Sequence, residues 1–346
     1  MAPISGTYSE AHKMGLFISM IASKTNRPAA LVVLDPVDPP KIYNLELKDS
    51  GDKVLDKVIL ERYILHPDVE RIEIETPEMT ATLFRPKGQG PFPALIDMFG
   101  SSGGIKEHRA ALFASHGFVT LCLPFFNYKN LPSTLADVNM EYFEYAIEFL
   151  CNLPYTTNNC GIIGRSFGSC LAMLCAQRYH KITCVINVNG SPSLEEFTTF
   201  KENGKLLPYF VPQNGYGIEH EEVVCEIDGK MAIAHNSFYK KVPENHWRLG
   251  PVENIPKNTG IYYIATLDDL GINSTETADY FYKRLKKSGH NNIVVDVKPG
   301  GHLIDAPYVP HMDFVWNKYF GIYMAYGGEP HPLIQDSAFA YTKNPI

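Results

Sequence analysis

The most informative motif of this chain is Cys160-Gly161-Ile162-Ile163-Gly164-Arg165-Ser166-Phe167-Gly168-Ser169-Cys170. A short apolar run enters a Gly-x-Ser-x-Gly turn, and residues 170–179 beyond it are apolar with helical character. A strand, a tight turn and a helix in this order predict a nucleophile elbow, in which Ser166 takes a strained backbone conformation and projects from the sheet. Gly164 and Gly168 lack the Cβ atoms that would clash there. Ser166 is therefore the candidate nucleophile; the alternative is an ordinary glycine-containing turn between a strand and a helix.

Apolar runs and amphipathic helices alternate on both sides of this motif. Buried strands are predicted at residues 93–99, 117–126, 182–188, 261–266 and 293–297, and helices at residues 106–115, 137–152, 275–287 and 311–323. This alternation indicates an α/β fold, a mostly parallel sheet with helices on both faces. Residues 77–346 are expected to form this domain. Within it, residues 193–257 are rich in Gly, Pro and aromatic side chains and predict an insertion of loops, with a short strand pair, near a substrate pocket.

The N-terminal part has a different pattern, with short apolar runs separated by proline and aspartate clusters. Strands are predicted at residues 16–21, 30–34, 42–47 and 58–63, and residues 71–76 and 80–84 alternate as a hairpin would, with Pro77-Glu78 at the turn. Residues 1–76 are therefore expected to form a small β module before the larger domain.

A serine nucleophile needs a base, and the base needs an acid that orients it. In α/β-hydrolases the three residues follow the order Ser, acid, His, each on a loop after a strand. Asp268-Asp269 follows the predicted strand 261–266, and Gly300-Gly301-His302 follows the predicted strand 293–297. His302 is the candidate base. Asp269 is the favoured acid, with Asp268 as a cap or supporting partner, although the sequence leaves both acids open.

The oxyanion of an acyl-transfer intermediate needs preorganised N–H donors. One donor is expected from the backbone of Phe167, directly after the nucleophile, and the other from the loop Gly100-Ser101-Ser102-Gly103-Gly104, near Gly100 or Ser101. The alternative for this loop, a dinucleotide-binding turn, requires a Gly-x-Gly-x-x-Gly spacing that the loop does not have.

Composition narrows the function classes. The chain has 346 residues, is 45% hydrophobic and carries a net charge of −7, which argues against a general nucleic-acid surface. Its seven cysteines show no metal-ligand spacing, and Cys122, Cys170, Cys175 and Cys184 lie in apolar runs where buried free thiols are expected. No metal and no cofactor are therefore expected.

The ends of the chain bear on location. The start has no basic segment followed by an apolar run, no stretch is long enough to span a bilayer, and the last three residues are not a peroxisomal address. A soluble cytoplasmic protein is the expectation.

With these residues placed, the chain resembles the family of acyl-CoA thioesterases and bile acid-CoA:amino acid N-acyltransferases. The resemblance covers residues 14–330, and its most specific stretches are 90–100, the elbow, Val188-Asn189-Gly190-Ser191, Asp268-Asp269, Gly301-His302 and Gly327-Gly328-Glu329-Pro330. It implies an N-terminal β-sandwich followed by an α/β-hydrolase domain, with Ser166, Asp269 and His302 as the triad. The sandwich looks shortened, as if its first strands were absent.

The resemblance implies an acyl-CoA substrate and an acyl-enzyme intermediate. Ser166 stands where family members specialised for amidation tend to carry Cys, which favours hydrolysis. The expected function is therefore an acyl-CoA thioesterase. Two alternatives stay open, an N-acyltransferase that uses the same triad and a non-catalytic acyl-CoA-binding protein. Candidate contacts for the CoA phosphates are Lys106, Arg109, Lys201 and Lys205.

Overall fold

The computed structural model describes residues 15–18, 35–192, 194–195, 200–207, 210–211, 222–227, 229–241, 247, 250–304, 314–317 and 321–328. Its central feature is an eight-stranded sheet. The strands of this sheet are, in chain order, β3 (Val69–Glu75), β4 (Thr80–Pro86), β5 (Phe92–Met98), β6 (Val119–Cys122), β7 (Thr156–Arg165), β8 (Ile182–Val188), β15 (Gly260–Thr266) and β16 (Ile293–Lys298).

The spatial order of the large sheet is β16-β15-β8-β7-β5-β6-β4-β3. The six strands from β16 to β6 run parallel, whereas β4 pairs antiparallel with both β6 and β3. Because parallel strands end at a common edge, the loops after β5, β7, β8, β15 and β16 converge there. This is the sheet of an α/β-hydrolase, as the sequence predicts, and the converging loops carry every predicted site residue.

Helices cover the sheet on both faces. They are α2 (His108–Ser115), α3 (Met140–Cys151), α4 (Phe167–Ala176) and α6 (Ser274–Lys287). Side chains of α3, α4 and α6 share one buried cluster with Ala94 and Ile96 of β5, whereas Phe113 of α2 packs with Leu95 on the opposite face. Successive strand residues point to opposite faces, so β5, which is apolar except for Asp97, packs against helices on both faces.

The predicted N-terminal module divides between two structures. Strands β1 (Lys41–Lys48) and β2 (Val54–Arg62) form a separate two-stranded antiparallel sheet. Strand β3, which the sequence reading placed in the module, is instead the edge strand of the large sheet, joined to β4 with Glu75 opposite Thr80. The division of the chain at residue 76 therefore falls inside a hairpin of the large sheet. In the described part of residues 1–68, the strands are β1 and β2. A complete β-sandwich in this region therefore stays a prediction.

The insertion contains more regular structure than the loops expected for it. Its elements are β9 (Leu194–Glu195), β10 (Lys201–Glu202), β11 (Lys205–Leu206), β12 (Phe210–Val211), β13 (Glu222–Ile227), β14 (Lys230–Ala234) and α5 (Asn236–Lys241). Strands β13 and β14 join two strands from the end of the chain, β17 (Phe314–Asn317) and β18 (Ile322–Ala325), in a four-stranded sheet. Short 3-10 turns at Leu135–Asp137 and Val252–Asn254 complete the elements.

Two predictions of secondary structure are wrong. Within the helix predicted at residues 311–323, the described residues belong to β17 and to the turn and first residues of β18, and these two strands pair antiparallel with each other. Within the strand predicted at residues 16–21, the described residues belong to helix α1 (Gly15–Ile18), whose Phe17 ring packs edge-on against Tyr43 at 5.0 Å between centroids. Short apolar and aromatic runs fit either period, so pairing with distant residues decides their structure. The strand predicted at residues 30–34 lies outside the described residues.

Two further observations concern the cysteines and the hydropathy of the helices. Cys122, Cys170 and Cys175 are buried free thiols as predicted, while Cys184 is half-buried and Cys225 is exposed. Among the helices in the described ranges, none has the length and hydropathy to cross a membrane.

Candidate active site

Ser166 lies at the apex of the turn between β7 and α4. Its backbone has φ of 53° and ψ of −124°, a strained conformation for a residue with a side chain. The two glycines of the motif are required by close backbone contacts. A Cβ on Gly164 would lie 2.1 Å from the carbonyl oxygen of Gly168, and one on Gly168 would lie 2.0 Å from that of Phe99. Ser166 is half-buried, and its N–H donates to Val188 at 2.9 Å. The predicted elbow is therefore formed.

His302 and Asp269 form a buried pair on the loops after β16 and β15. Nδ1 of His302 lies 2.9 Å from Oδ1 of Asp269, and the two side chains are 4% and 2% exposed. The same Oδ1 accepts the backbone N–H groups of Gly271 at 2.9 Å and Ile272 at 2.8 Å. These donors fix the carboxylate, and the carboxylate favours the imidazole tautomer with a proton on Nδ1. Nε2 is then the basic nitrogen.

Asp268 has a different position from Asp269. Its side chain is exposed, and Oδ2 accepts the N–H of Gly328 at 2.6 Å. The geometry thus separates the two acids, since Asp269 contacts the imidazole while Asp268 binds the segment that follows β18. This segment in turn contacts the histidine, because the N–H of His302 donates to the carbonyl of Tyr326 at 2.6 Å.

Two of the residues predicted to supply oxyanion donors, Phe167 and Gly100, lie beside Ser166. Phe167 is the first residue of α4, so its N–H is free of the helix's own hydrogen-bond ladder. Gly100 is buried against the nucleophile, and a Cβ placed on it would lie 3.1 Å from Cβ and 3.5 Å from Oγ of Ser166. Ser101, the next residue, is exposed. A side chain at position 100 would be tightly packed against Ser166, so glycine there lets the loop backbone lie close to Oγ.

Several residues that support the pair escaped the sequence reading. Asn189, after β8, donates through Nδ2 to the carbonyls of Gly301 at 3.2 Å and His302 at 2.9 Å. The hydroxyl of Thr266 donates to Gly301 at 2.9 Å. A Cβ on Gly271 would lie 2.5 Å from Cγ of His302, so the imidazole packs directly on that backbone. The position of Asn189 at the end of a buried strand was the available signal, but its partners depend on how the loops pack.

The insertion also contacts the acid loop. Asn236, at the start of α5, donates through Nδ2 to the carbonyl of Asp269 at 2.8 Å, and its N–H donates to Leu270 at 2.9 Å. On β15, the strand that precedes the acid loop, the hydroxyl of Tyr263 donates to the carbonyl of Gly190 at 2.7 Å. Burial raises the pKa of Tyr263 far above its usual range, so the phenol stays a neutral donor. Asn236 therefore joins the insertion to the acid loop, and Tyr263 joins β15 to the loop after β8.

The arrangement fits acyl transfer through a serine. It offers a half-buried hydroxyl at the apex of the turn, a buried acid and histidine, and a backbone N–H beside the hydroxyl. Of the four cations nominated for CoA, Arg109 instead donates through Nε to Oδ1 of Asp97 at 2.8 Å. Across the ranges that the structure describes, no three His, Cys, Asp or Glu side chains are grouped as metal ligands would be.

Two family models match the chain. The model described as "BAAT / Acyl-CoA thioester hydrolase C terminal" matches residues 138–338, and the model described as "Acyl-CoA thioester hydrolase/BAAT N-terminal region" matches residues 1–76. Together they include the elbow, the acid, the histidine and the β1–β2 hairpin.

Curated relatives cover nearly the whole chain. A mouse protein named bile acid-CoA:amino acid N-acyltransferase is 31% identical over 97% of this chain and 80% of its own length. The mouse protein named acyl-coenzyme A thioesterase 1 is 30% identical over 95% of this chain and 77% of its own length. Among solved structures, the Pyrococcus furiosus esterase Pf2001 is similar with a TM-score of 0.44 and 15% identity, over 70% of this chain and 84% of that one.

Proposed function

Since the chain belongs to the family of acyl-CoA thioester hydrolases and bile acid-CoA:amino acid N-acyltransferases, we propose that it is an acyl-CoA thioesterase with Ser166 as nucleophile. The observation that carries the proposal is the 2.9 Å contact between His302 Nδ1 and Asp269 Oδ1, on loops that converge on the strained turn of Ser166. Hydroxyl, base and acid then have the chain order and strand placement that α/β-hydrolases use for acyl transfer by a serine.

The reaction divides into two steps. In the first, Oγ of Ser166 attacks the thioester carbonyl while Nε2 of His302 takes the hydroxyl proton. The tetrahedral intermediate collapses, the C–S bond breaks, and the CoA sulfur leaves with the proton from His302. In the second step His302 takes a proton from water, which attacks the acyl-serine ester. The free acid leaves, and the proton returns to Oγ of Ser166.

Asp269 and the oxyanion donors act on the charges that develop in these steps. The buried carboxylate of Asp269 stabilises the imidazolium and keeps Nε2 directed at the hydroxyl. The N–H of Phe167 and an N–H near Gly100 or Ser101 would bind the carbonyl oxygen as it gains negative charge. Loss of one such donor typically costs about 100- to 1000-fold in kcat.

The test is CoA release, followed by thiol titration, from a panel of acyl-CoAs of different chain length. The wild-type chain should release CoA, and Ser166→Ala should lower kcat by about 10⁴-fold or more while its thermal unfolding midpoint stays close to that of the wild type. Retained hydrolysis in Ser166→Ala would exclude this serine as the nucleophile. Saturable binding of acyl-CoA by the wild type without CoA release would instead favour a binding protein.

A second candidate, an acyl-CoA:amino acid N-acyltransferase, is favoured by the 31% identity to the mouse protein of that activity. In this reaction an amine replaces water in the second step, so the same acyl-serine is formed. Mass spectrometry after incubation with acyl-CoA and glycine or taurine separates the two. A free acid as product supports the thioesterase, and an amide supports the transferase.

A further inference from the structure

Arg165, the residue directly before Ser166, has an unusual environment for a charged side chain. It is the last residue of β7 and is 1% exposed, among the largest fully buried side chains of the protein. Its guanidinium donates to the carbonyl oxygen of Ile304. It also lies over the ring of Phe99, 5.3 Å from the ring centroid. One buried cation thus contacts two loops besides its own.

Each of these contacts lies next to a residue of the candidate site. Ile304 is two residues beyond His302, and Phe99 directly precedes Gly100. Arg165 itself is covalently joined to Ser166. The guanidinium therefore lies among the elbow, the histidine loop and the loop of the predicted oxyanion donor, and it contacts the last two.

Burial of a guanidinium has an energetic cost. Removing a cation from water costs several kcal/mol, and an apolar side chain of similar volume is often at least as stabilising. The Ile304 side chain already packs against the apolar cluster of Leu95, Ile163 and Ile264, so the loop is attached to the core without the cation. The guanidinium adds a directional hydrogen bond to the backbone of Ile304. A planar group with several N–H donors fixes the loop backbone at one place, which dispersion contacts do not.

The other contacts of His302 come from elements other than β7. Asp269 and Tyr326 hold the imidazole and the N–H of His302 on the β15 and β18 side of the site. Asn189 holds its carbonyl from the end of β8. Arg165 connects the same loop to the strand that carries the nucleophile.

We propose that Arg165 is a positioning residue that fixes the histidine loop relative to Ser166 and so sets the separation of His302 Nε2 from Ser166 Oγ. This inference rests on the proposed function. Because Arg165 is buried, its loss should leave acyl-CoA binding unchanged and slow proton transfer from Ser166. A displacement of about 1 Å in such a pair can cost about 100-fold in rate.

The experiment compares three variants of the full-length chain. Arg165→Met keeps the volume and removes the donors, and Arg165→Lys keeps the charge and one donor group without the planar fork. Arg284→Met is the control, because Arg284 is also partly buried in an ion pair, with Glu253 at 2.8 Å, but lies near the C-terminal end of α6. Each is assayed for kcat and KM of CoA release and for the rate at which a fluorophosphonate labels Ser166.

Arg165→Met should lower kcat and the labelling rate by about 10- to 100-fold with KM within about twofold of the wild type. Arg165→Lys should recover part of this loss, and Arg284→Met should keep the wild-type kcat. A lowered kcat with an unchanged KM indicates that Arg165 positions the reacting groups, whereas a general disturbance of the structure would change both constants. If Arg165→Met does not fold, Arg165→Lys decides, since an unchanged kcat there would also contradict the need for the fork.

Two results would overturn the inference. One is a folded Arg165→Met protein with unchanged kcat and labelling rate, and the other is a raised KM with unchanged kcat, which would place Arg165 in substrate binding. These differ from failure of the proposed function. In that case the wild type itself would release no CoA and show no labelling at Ser166, and both proposals would fall together.

Discussion

At the scale of single residues, the two adjacent acids Asp268 and Asp269 show how one position on a loop changes a side chain's chemistry. Asp269 Oδ1 accepts from His302 and from two backbone N–H groups, and its side chain is 2% exposed. Asp268 points to solvent and accepts from the backbone of Gly328. A carboxylate in the first environment acts on the imidazole, and one in the second acts on a neighbouring chain segment.

This difference yields a prediction for two matched variants. Asp269→Asn should lower kcat by about 10³- to 10⁴-fold, since the amide no longer stabilises the imidazolium and can favour the wrong tautomer. Asp268→Asn should lower kcat by less than about tenfold, because the amide oxygen can still accept the N–H of Gly328. Steady-state kinetics of CoA release measure both. A larger loss in Asp268→Asn than in Asp269→Asn would reverse the assignment of the acid.

The sequence was sufficient to predict the candidate triad residues, but not the residues that hold them in place. Gly164 and Gly168 reveal the elbow because they form a recognisable Gly-x-Ser-x-Gly pattern, although the contact that excludes a side chain at Gly168 comes from Phe99 in the loop after β5. Chain order points to Asp269 and His302. The roles of Asn189, Arg165 and Tyr326 depend on contacts between loops that are far apart in the chain. No local pattern encodes such contacts, so the structure was needed to find them.

At the scale of elements, residues 326–328, which follow β18, pack across the loop that carries His302 and are called the strap below. A Cβ on Gly327 would lie 2.0 Å from the carbonyl oxygen of Asp268, and one on Gly301 would lie 2.1 Å from that of Gly327. The backbones of three segments therefore meet without room for side chains. Strands β17 and β18 lie in a run that the sequence assigned to a helix, so this junction could not be anticipated from periodicity.

Substitution at the strap should disturb the site. Gly327→Ala adds a methyl group where the backbone of Asp268 lies, so the strap must move. His302 then either loses its hydrogen bond to the carbonyl of Tyr326 or moves with the strap. We expect kcat to fall by about 10- to 100-fold, a loss of the size that misplacement of a catalytic group produces. CoA release and thermal unfolding are the measurements.

Gly321→Ala is the matched control. Gly321 has φ of 64°, close to the 67° of Gly327, but a Cβ there meets nothing within 4 Å. Both variants pay a similar conformational cost of about 1 kcal/mol for a side chain at positive φ. If the two variants lost activity equally, backbone conformation rather than the packed junction would be the cause.

At the scale of the whole molecule, strand β3 connects the N-terminal part to the catalytic sheet. Its Arg71 donates through Nε and Nη2 to the carboxylate of Glu107 at 2.9 Å and 2.7 Å. Glu107 is 3% exposed and also accepts from Thr82 at 2.6 Å. Upstream, Val37 and Ile64 are buried in the cluster that contains Phe84 and Ala110 of α2. The large domain thus uses residues from the region that sequence patterns alone assigned to a separate module.

A chain that begins at residue 77 should therefore be much less stable than the full chain. It lacks β3, exposes the edge of β4, and leaves the buried charge of Glu107 without Arg71, a loss of about 3 to 5 kcal/mol for the ion pair alone. Denaturant unfolding followed by circular dichroism measures the difference. Glu107→Gln should recover part of the stability in the 77–346 chain, since it removes the unpaired charge, and should destabilise the full chain, where Arg71 would lose its partner. Equal unfolding midpoints for the full and shortened chains would instead show that the catalytic domain is complete from residue 77.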